Sequence, residues 1–199
     1  MKYTQRPVTR RAALSITLGA ALVTLSACKS SNDELAQQAG SNQGYISGDG
    51  VVTQLGEGDR GKPLDLEFTD LDGKQHSLAE YRPKAVVINL WYAACPPCRK
   101  EAPDLVAVSQ KFEKDVVFLG VNVRDQAPAA KSFIDTFKVP YANMIDTDGA
   151  MVSLLSSILP PQATPSTVVL DAQGRAAARI VGASESSTLR GVIEDVLKG

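Results

Sequence analysis

Residues 85–103 read AVVINLWYAACPPCRKEAP and hold the pattern that decides the fold. The first part, Ala85–Leu90, is a short apolar run with β-branched residues, which is typical of a buried strand. From Pro96 to about Lys114 the apolar side chains recur at helical spacing. A buried strand therefore leads directly into a helix, and Cys95 and Cys98 lie at the junction.

The placement of this cysteine pair predicts redox chemistry. Cys95 at a helix N-terminus faces free backbone N–H groups and the positive end of the helix dipole, which stabilise a thiolate. Cys98, one turn later, is in reach to close a disulfide, and Pro96 and Pro97 suit a first helical turn. Three alternatives remain: a zinc site, a structural staple and chance spacing. Zinc needs about four ligands, and a ring closed over two residues constrains little of the unfolded chain. His76, the only histidine, is expected on the surface without a role.

Strands and helices continue on both sides of this segment. The predicted elements are a hairpin through Leu64, Leu66 and Phe68 with a turn at Asp72-Gly73, strands at Val116–Val123, Asn143–Ile145, Ser166–Asp171 and Ala176–Val181, and helices at Ala127–Lys138, Gly149–Ile158 and Ser187–Leu197. Strands first alternate with helices and then pair before a last helix. This order predicts an α/β fold with a central mixed β-sheet flanked by helices.

Several ordered motifs extend over residues 62–199. They are Trp91 to Pro103, Val121-Asn122-Val123, Asp146-Thr147-Asp148-Gly149, the run from Ala163 to Asp171, Gly174 and Gly182. Together they resemble the thioredoxin-like proteins, and within them the extracytoplasmic TlpA/ResA branch. The resemblance implies a thioredoxin-like fold with an N-terminal β-hairpin extension, acting as a thiol:disulfide oxidoreductase.

The resemblance implies a separate role for each cysteine of the pair. Cys95 should be exposed and attack a target disulfide as a thiolate. Cys98 should be more buried and resolve the mixed disulfide. The redox-active Cys95–Cys98 disulfide is the only redox group expected, with no further cofactor and no metal.

The resemblance also implies a substrate-binding surface around the pair. Pro165 matches the family's cis-proline, and Thr164 before it should offer backbone hydrogen bonds to a bound peptide. Trp91, Pro96 and Pro97 complete the expected surface, with Trp91 packing beside the site. A plain core aromatic is the alternative for Trp91.

Two positions depend on the branch of the family. Asn89 stands where cytoplasmic thioredoxins keep a buried aspartate, and an amide does not titrate. Glu101 stands where the ResA-like branch has an acidic residue near the thiols. A carboxylate there takes the Cys98 proton or raises the thiol pKa values by repulsion. The alternative for Glu101 is an exposed first-turn acid that the helix dipole favours.

Residues 1–27 are predicted to be a secretory signal peptide. They carry four basic residues and no acidic residue, followed by an uncharged run over Ala12–Ala27. A membrane-spanning helix needs about 20 apolar residues, so this run is short for an anchor. It ends at Leu25-Ser26-Ala27-Cys28, which resembles a bacterial lipobox and implies lipidation of Cys28. An ordinary signal with a chance cysteine is the alternative. Thr9–Leu14 also partly resembles a twin-arginine signal.

Residues 28–61 are predicted to be a lipidated N-terminus and flexible tether, leaving 62–199 as the domain. In 29–61, 17 of the 33 residues are Gly, Ser, Asn or Gln, too polar to bury much surface. Val51–Thr53 is a marginal strand at its end. Removing residues 1–27 changes the net charge from −1 to −5, so no basic surface for nucleic acid is expected.

These features predict a lipid-anchored thiol:disulfide oxidoreductase on the outer face of the cytoplasmic membrane, expected as a monomer. The family resemblance implies a reductant of protein disulfides such as the haem-site cysteines of apocytochrome c. It also implies a membrane electron donor of the CcdA/DsbD type. Three alternatives stay open: a disulfide-forming oxidase of secreted proteins, a peroxiredoxin-like antioxidant, and a non-catalytic peptide-binding or assembly lipoprotein.

Overall fold

A computed structural model of the chain describes residues 50–160 and 163–199. Its strands are β1 (Val51–Gln54), β2 (Glu67–Thr69), β3 (Gln75–Ser77), β4 (Ala85–Trp91), β5 (Val116–Asn122), β6 (Ala142–Ile145), β7 (Ser166–Leu170) and β8 (Ala176–Val181). Its α-helices are α1 (Pro96–Lys111), α2 (Ala127–Phe137), α3 (Ala150–Leu154) and α4 (Ser186–Lys198). The predicted signal peptide, Cys28 and the first part of the predicted tether lie outside the described residues.

Six of the strands form one mixed sheet in the order β1-β8-β7-β4-β5-β6. β4, β5 and β6 run parallel, whereas β7 is antiparallel to both β4 and β8. β2 and β3 form a separate hairpin. The predicted α/β class, the mixed sheet flanked by helices and the N-terminal hairpin are therefore confirmed.

Both faces of β4 are buried, which explains its continuous apolar sequence. Every second residue from Val86 to Leu90 packs into one core with α3 and the hairpin. Ala85 and Val87 pack into the opposite core with α1 and α4. Because side chains alternate along a strand, Asn89 points to the same face as Ala85 and Val87, toward α1.

The folded part begins before Lys62, so the predicted tether of residues 28–61 is too long at its C-terminal end. β1 pairs antiparallel with β8, with Val51 opposite Val181. The Arg60 guanidinium then lies 3.1 Å from the Asp171 carboxylate, and both side chains are buried. The marginal strand predicted at Val51–Thr53 is confirmed as β1, whereas its pairing with β8 was not predicted, because that partner lies far along the chain.

A buried histidine joins the hairpin to the turn that follows it, which corrects the expectation of a surface residue. His76 Nε2 lies 2.9 Å from an Asp70 carboxylate oxygen, and its Nδ1 lies 2.9 Å from the Tyr81 hydroxyl. The Phe68 ring stacks on the imidazole at 5.3 Å between centroids. The carboxylate and the phenol satisfy both ring nitrogens, so the imidazole is buried without an unpaired polar atom.

The helices differ from the predicted ranges mainly at their C-terminal ends. α1 ends at Lys111 rather than near Lys114, and α3 ends at Leu154 rather than Ile158, because turns follow it. Across residues 50–160 and 163–199, no helix combines the length and the apolar character needed to cross a membrane.

Candidate active site

The cysteine pair lies where the loop after β4 enters α1. The two Sγ atoms of Cys95 and Cys98 are joined in a disulfide. Cys95 is the N-cap of α1, and the Cys98 backbone N–H donates to the Cys95 Sγ at 3.2 Å. Pro96 and Pro97 occupy the first turn, where no N–H is needed for the helix. The sequence-based placement of a cysteine at a helix N-terminus is therefore confirmed.

The disulfide is covered rather than exposed. Cys95 is 0% exposed and Cys98 is 1% exposed. The expectation of an exposed Cys95 is therefore wrong for the oxidised state. The physical reason is that both sulfurs belong to an apolar cluster with Trp91, Tyr92 and Phe133. Among the predicted contact residues of the α1 turn, Pro96 is exposed and Pro97 half-buried.

The loop that precedes β7 lies at the same end of the sheet as the cysteine loop. The Thr164–Pro165 peptide bond is cis, as the family resemblance implies. Ser166, the next residue, pairs with Leu90 near the end of β4, so this loop and the cysteine loop leave the same end of the sheet. Thr164 is 5% exposed. It is nevertheless one of the residues that line a surface groove.

This groove, which we call the apolar groove, has a volume of about 450 Å³. Its walls come from the ends of β4 and β5, from α3 and the turns after it, and from the loop before β7. They include Leu90, Tyr92, Val123, Leu155, Leu159 and Thr164. The Arg124 guanidinium lies 4.3 Å above the centre of the Tyr92 ring and also lines the groove. The groove is therefore mostly apolar, with one cation.

Trp91 supports the site from within the protein. Its ring is 3% exposed, lies 4.3 Å from the Phe133 ring, and its Nε1–H donates to the Asn143 side-chain oxygen at 3.1 Å. Little of its surface is left for a substrate to contact. Of the two expectations, packing beside the cysteines describes Trp91 and direct substrate contact does not.

Glu101 is buried in the first turns of α1, so the alternative of an exposed helix acid is excluded. Its side chain is 2% exposed. Oε1 accepts from the Asn89 amide at 3.0 Å, and Oε2 accepts from the Ser184 backbone N–H at 2.8 Å. The same Asn89 amide donates to the Thr167 hydroxyl oxygen at 3.1 Å. The carboxyl therefore joins α1 to β4, β7 and the loop after β8.

Burial raises the pKa of Glu101 to about 7, because a carboxylate loses its hydration there. The hydrogen bonds from Ser184 and Asn89 lower that pKa, and the negative charge of Asp104 raises it again. Asn89 and Cys98 line one internal cavity with room for about one water molecule. Glu101 does not line this cavity itself, but it binds Asn89, which does.

Asp125 holds the cysteine loop, and sequence reasoning missed it. Its carboxylate accepts from the Ala93 backbone N–H and from the Asn122 amide. The Asn122 side-chain oxygen in turn accepts from the Asp125 backbone N–H at 2.7 Å. The only sequence signal for this contact was the position of Asn122 at the end of a predicted strand. Nothing in the sequence marked Asp125 as the residue that Asn122 binds.

A thioredoxin-like sheet with a cysteine pair at the start of a helix and a cis-proline beside it defines a thiol:disulfide oxidoreductase. The chain belongs to the Redoxin family, whose profile matches residues 56–196.

Named relatives agree with this class. The chain is 27% identical over 129 residues to a thiol-disulfide oxidoreductase ResA of Bacillus cereus, covering 64% of this chain and 72% of the relative. It is 31% identical over 134 residues to the thiol:disulfide interchange protein DsbE of Pseudomonas aeruginosa, covering 65% and 71%. A secreted thiol-disulfide isomerase from Corynebacterium glutamicum has a similar solved structure, with a TM-score of 0.69, 26% identity, and coverage of 74% and 92%. This chain is therefore an oxidoreductase of the ResA/DsbE type.

Proposed function

We propose that this oxidoreductase is tethered to the outer face of the cytoplasmic membrane and reduces disulfides in target polypeptides. The observation that carries the thiol–disulfide exchange is the position of Cys95 as the N-cap of α1, with the Cys98 N–H directed at its sulfur. A sulfur in this position is stabilised as a thiolate. Cys95 is therefore the nucleophile and Cys98 the resolving cysteine.

The reaction proceeds by two exchanges. The Cys95 thiolate attacks one sulfur of the target disulfide, so that a Cys95–target bond forms and the target disulfide breaks, releasing a target thiolate. The Cys98 thiol then loses its proton, and its thiolate attacks the Cys95 sulfur. The Cys95–Cys98 bond forms, the second target thiolate leaves, and two electrons have passed to the target.

Glu101 is the proton acceptor for Cys98. Its carboxyl group is connected toward Cys98 through Asn89 and a cavity with room for about one water. A pKa of about 7 leaves a large fraction of the carboxylate free to accept a proton at neutral pH. Asn89 orients the carboxylate and does not titrate itself.

The apolar groove suits a polypeptide substrate. It adjoins Thr164 and the cis-proline loop, at the end of the sheet where the cysteine loop also begins. An apolar side chain near the target cysteine fits its walls, and Arg124 at its side favours an acidic neighbour. Thr164 provides the backbone contacts that the family resemblance implies.

The covered disulfide supports the reductive direction. A reductant ends each turnover with its disulfide closed, and full burial of Cys95 shields that disulfide from stray thiols. Regeneration then depends on a dedicated partner rather than on any nearby thiol. An oxidase works the other way, because its disulfide must meet many different substrate thiols.

The substrate and the electron donor follow from the resemblance to the TlpA/ResA branch. The proposed substrate is the haem-site cysteine pair of apocytochrome c, and the proposed donor is a membrane protein of the CcdA/DsbD type. The lipobox-like stretch ending at Cys28 supports a lipid anchor on the membrane that contains this donor. The reduction potential is expected near or below about −270 mV.

Trapping the mixed disulfide tests the proposal. In Cys98→Ala the first exchange occurs but the second does not, so a target stays bonded to Cys95. Mass spectrometry of the trapped complexes should recover apocytochrome c. The matched control is Cys95→Ala, which removes the nucleophile and should trap nothing. Adding Cys28→Ala should move the protein out of the membrane fraction.

Two results would overturn the proposal. Recovery of many unrelated secreted proteins, together with a potential near that of a strong oxidant at about −120 mV, would identify an oxidase. A Cys95→Ala variant that keeps its function in cells would exclude thiol chemistry as the function altogether.

A further inference from the structure

Glu101 lies between two separate spaces. On one side, Asn89 binds Oε1 and lines the internal cavity that Cys98 also lines. On the other side, Ser184 binds Oε2 and lines a surface cleft. Glu101 itself lines this cleft, although it is only 2% exposed. One carboxyl group therefore lies between Asn89, which lines the cavity beside Cys98, and a cleft at the surface.

This second opening, which we call the Glu101 cleft, has a volume of about 400 Å³. It lies between the first turns of α1 and the loop that leads from β8 into α4. Its walls include Lys100, Asp104, Ser184, Ser186, Ser187 and Arg190. None of the residues lining this cleft also lines the apolar groove. A substrate in the apolar groove therefore leaves the Glu101 cleft open to water.

Asp104 is the acidic residue in this cleft whose charge acts on Glu101. It follows Glu101 by three residues on α1, so the two side chains lie on one face of the helix. Its Oδ2 accepts from the Ser186 backbone N–H at 3.3 Å, which fixes it beside the cleft. Its negative charge disfavours the charged form of Glu101.

The other charged and polar groups around Glu101 come from every neighbouring element. They are Lys100 on α1, Glu185 before α4, Arg190 on α4, Asn89 on β4, Thr167 on β7 and the phenol of Tyr141 before β6. Lys100 and Arg190 are exposed, so solvent screens their charges. Burial and the charge on Glu101 raise the pKa of Tyr141, which stays neutral. Asp104 is thus the acidic neighbour whose charge raises the pKa of Glu101.

We propose that the Glu101 cleft is the port through which Glu101 exchanges its proton with solvent, and that Asp104 is the positioning residue that keeps Glu101 able to accept a proton. This rests on the proposed role of Glu101 in the resolving step. There the Cys98 S–H bond breaks, the proton passes to the Glu101 carboxylate, and the Cys98 thiolate attacks Cys95. Glu101 then releases the proton to water in the cleft, on the side away from the substrate.

A chromogenic disulfide separates the two exchanges. Reduced protein reacts with 5,5′-dithiobis(2-nitrobenzoate): the Cys95 thiolate releases a first nitrothiobenzoate, and Cys98 attack releases the second. The rate of the second release, followed by stopped-flow absorbance against pH, reports the resolving step alone. This small probe does not need the apolar groove.

Asp104→Asn removes the charge while the amide oxygen still accepts from Ser186. We expect the acidic limb of the pH–rate profile of the second release to move to lower pH by about 0.2–0.4 unit, as for like charges one helical turn apart. The matched control is Asp195→Asn, the same substitution at an exposed site on α4. In Asp195→Asn the acidic limb of the pH–rate profile should stay at its wild-type pH.

Ser187→Trp tests the port itself by filling the cleft from an exposed position. At constant pH we expect both releases to keep their rates, because Glu101 uses the port only after the resolving step. When the pH is jumped from below to above the Glu101 pKa immediately before mixing, we expect the second release to lag in Ser187→Trp and not in wild type, because the carboxyl must first lose its proton through the cleft. No lag in Ser187→Trp, or an unmoved acidic limb in Asp104→Asn, would overturn the proposal while Glu101→Gln still changes the limb. If Glu101→Gln also leaves the limb unchanged, the role of Glu101 in the resolving step is wrong as well.

Discussion

Replacing Glu101 by glutamine removes the buried charge and keeps the shape of the side chain. The glutamine Oε1 accepts from the Ser184 N–H. Its Nε2 donates to the Asn89 side-chain oxygen after the Asn89 amide has flipped, so that oxygen and nitrogen exchange places. The Asn89 oxygen then also accepts from the Thr167 hydroxyl, so the contacts from residue 101 to Asn89 and Ser184 and from Asn89 to Thr167 all keep a donor and an acceptor. The variant therefore resembles the neutral, protonated form of Glu101.

The expected effect on stability follows from the pKa of Glu101. Its value of about 7 in the folded protein lies above its ordinary value of 4.5. Below about pH 4.5 Glu101 is neutral in both the folded and the unfolded state, and its contribution to the free energy of unfolding is then at its maximum. This contribution is lost as the pH rises through about 7, because the buried carboxyl must then ionise. At 1.36 kcal/mol for each pKa unit, the loss is about 3 kcal/mol.

Urea unfolding of the oxidised protein at pH 5 and pH 8.5 measures this difference, because the disulfide removes the two thiols from the titration. Wild type and Glu101→Gln should have similar free energies of unfolding at pH 5. At pH 8.5 the variant should be more stable than wild type by about 3 kcal/mol. A variant that is destabilised equally at both pH values would refute the reasoning, since the carboxylate hydrogen bonds would then outweigh its lost hydration.

Two further substitutions test the supports of the site. Gly120→Ala places a Cβ against the Asn143 side-chain oxygen and too close to Trp91 Nε1. It should cost about 1–3 kcal/mol and change the fluorescence of the single tryptophan. Arg60→Ala removes one of the two guanidinium groups that bind the buried Asp171 carboxylate, the other being that of Arg175. It should lower the free energy of unfolding, measured in urea, by roughly 1–3 kcal/mol. Limited proteolysis should then cut before residue 61 sooner than in wild type, whereas uniform protection would contradict a role in holding β1.

The sequence predicted those parts of the site that depend on local pattern. The apolar run of β4, the helix that starts at Pro96 and the cysteine at its N-terminus all follow from neighbouring residues. The cis bond before Pro165 came from the family resemblance alone, since X–Pro bonds in folded proteins are mostly trans. Composition and spacing carry no sign of it.

The parts that could not be predicted were side-chain and backbone contacts that no local sequence pattern marks. Ser184 binds Glu101 from 83 residues away, and a backbone N–H carries no sequence signal. His76 was expected on the surface because a lone histidine gives no pattern, and its partners Asp70 and Tyr81 lie outside any recognisable motif. Burial of Cys95 likewise depends on packing between elements, which local sequence does not describe.

The register of β1 places the start of the described chain at the same end of the sheet as the disulfide. Val51 at the start of β1 pairs with Val181, and Val181 also pairs with Ser166 just after the cis-proline. Ser166 in turn pairs with Leu90, which lies close to Cys95 in the chain. A partner that approaches the disulfide end of the sheet therefore also meets the beginning of β1, and a bulky group placed just before residue 51 would lie on the side from which a target reaches Cys95.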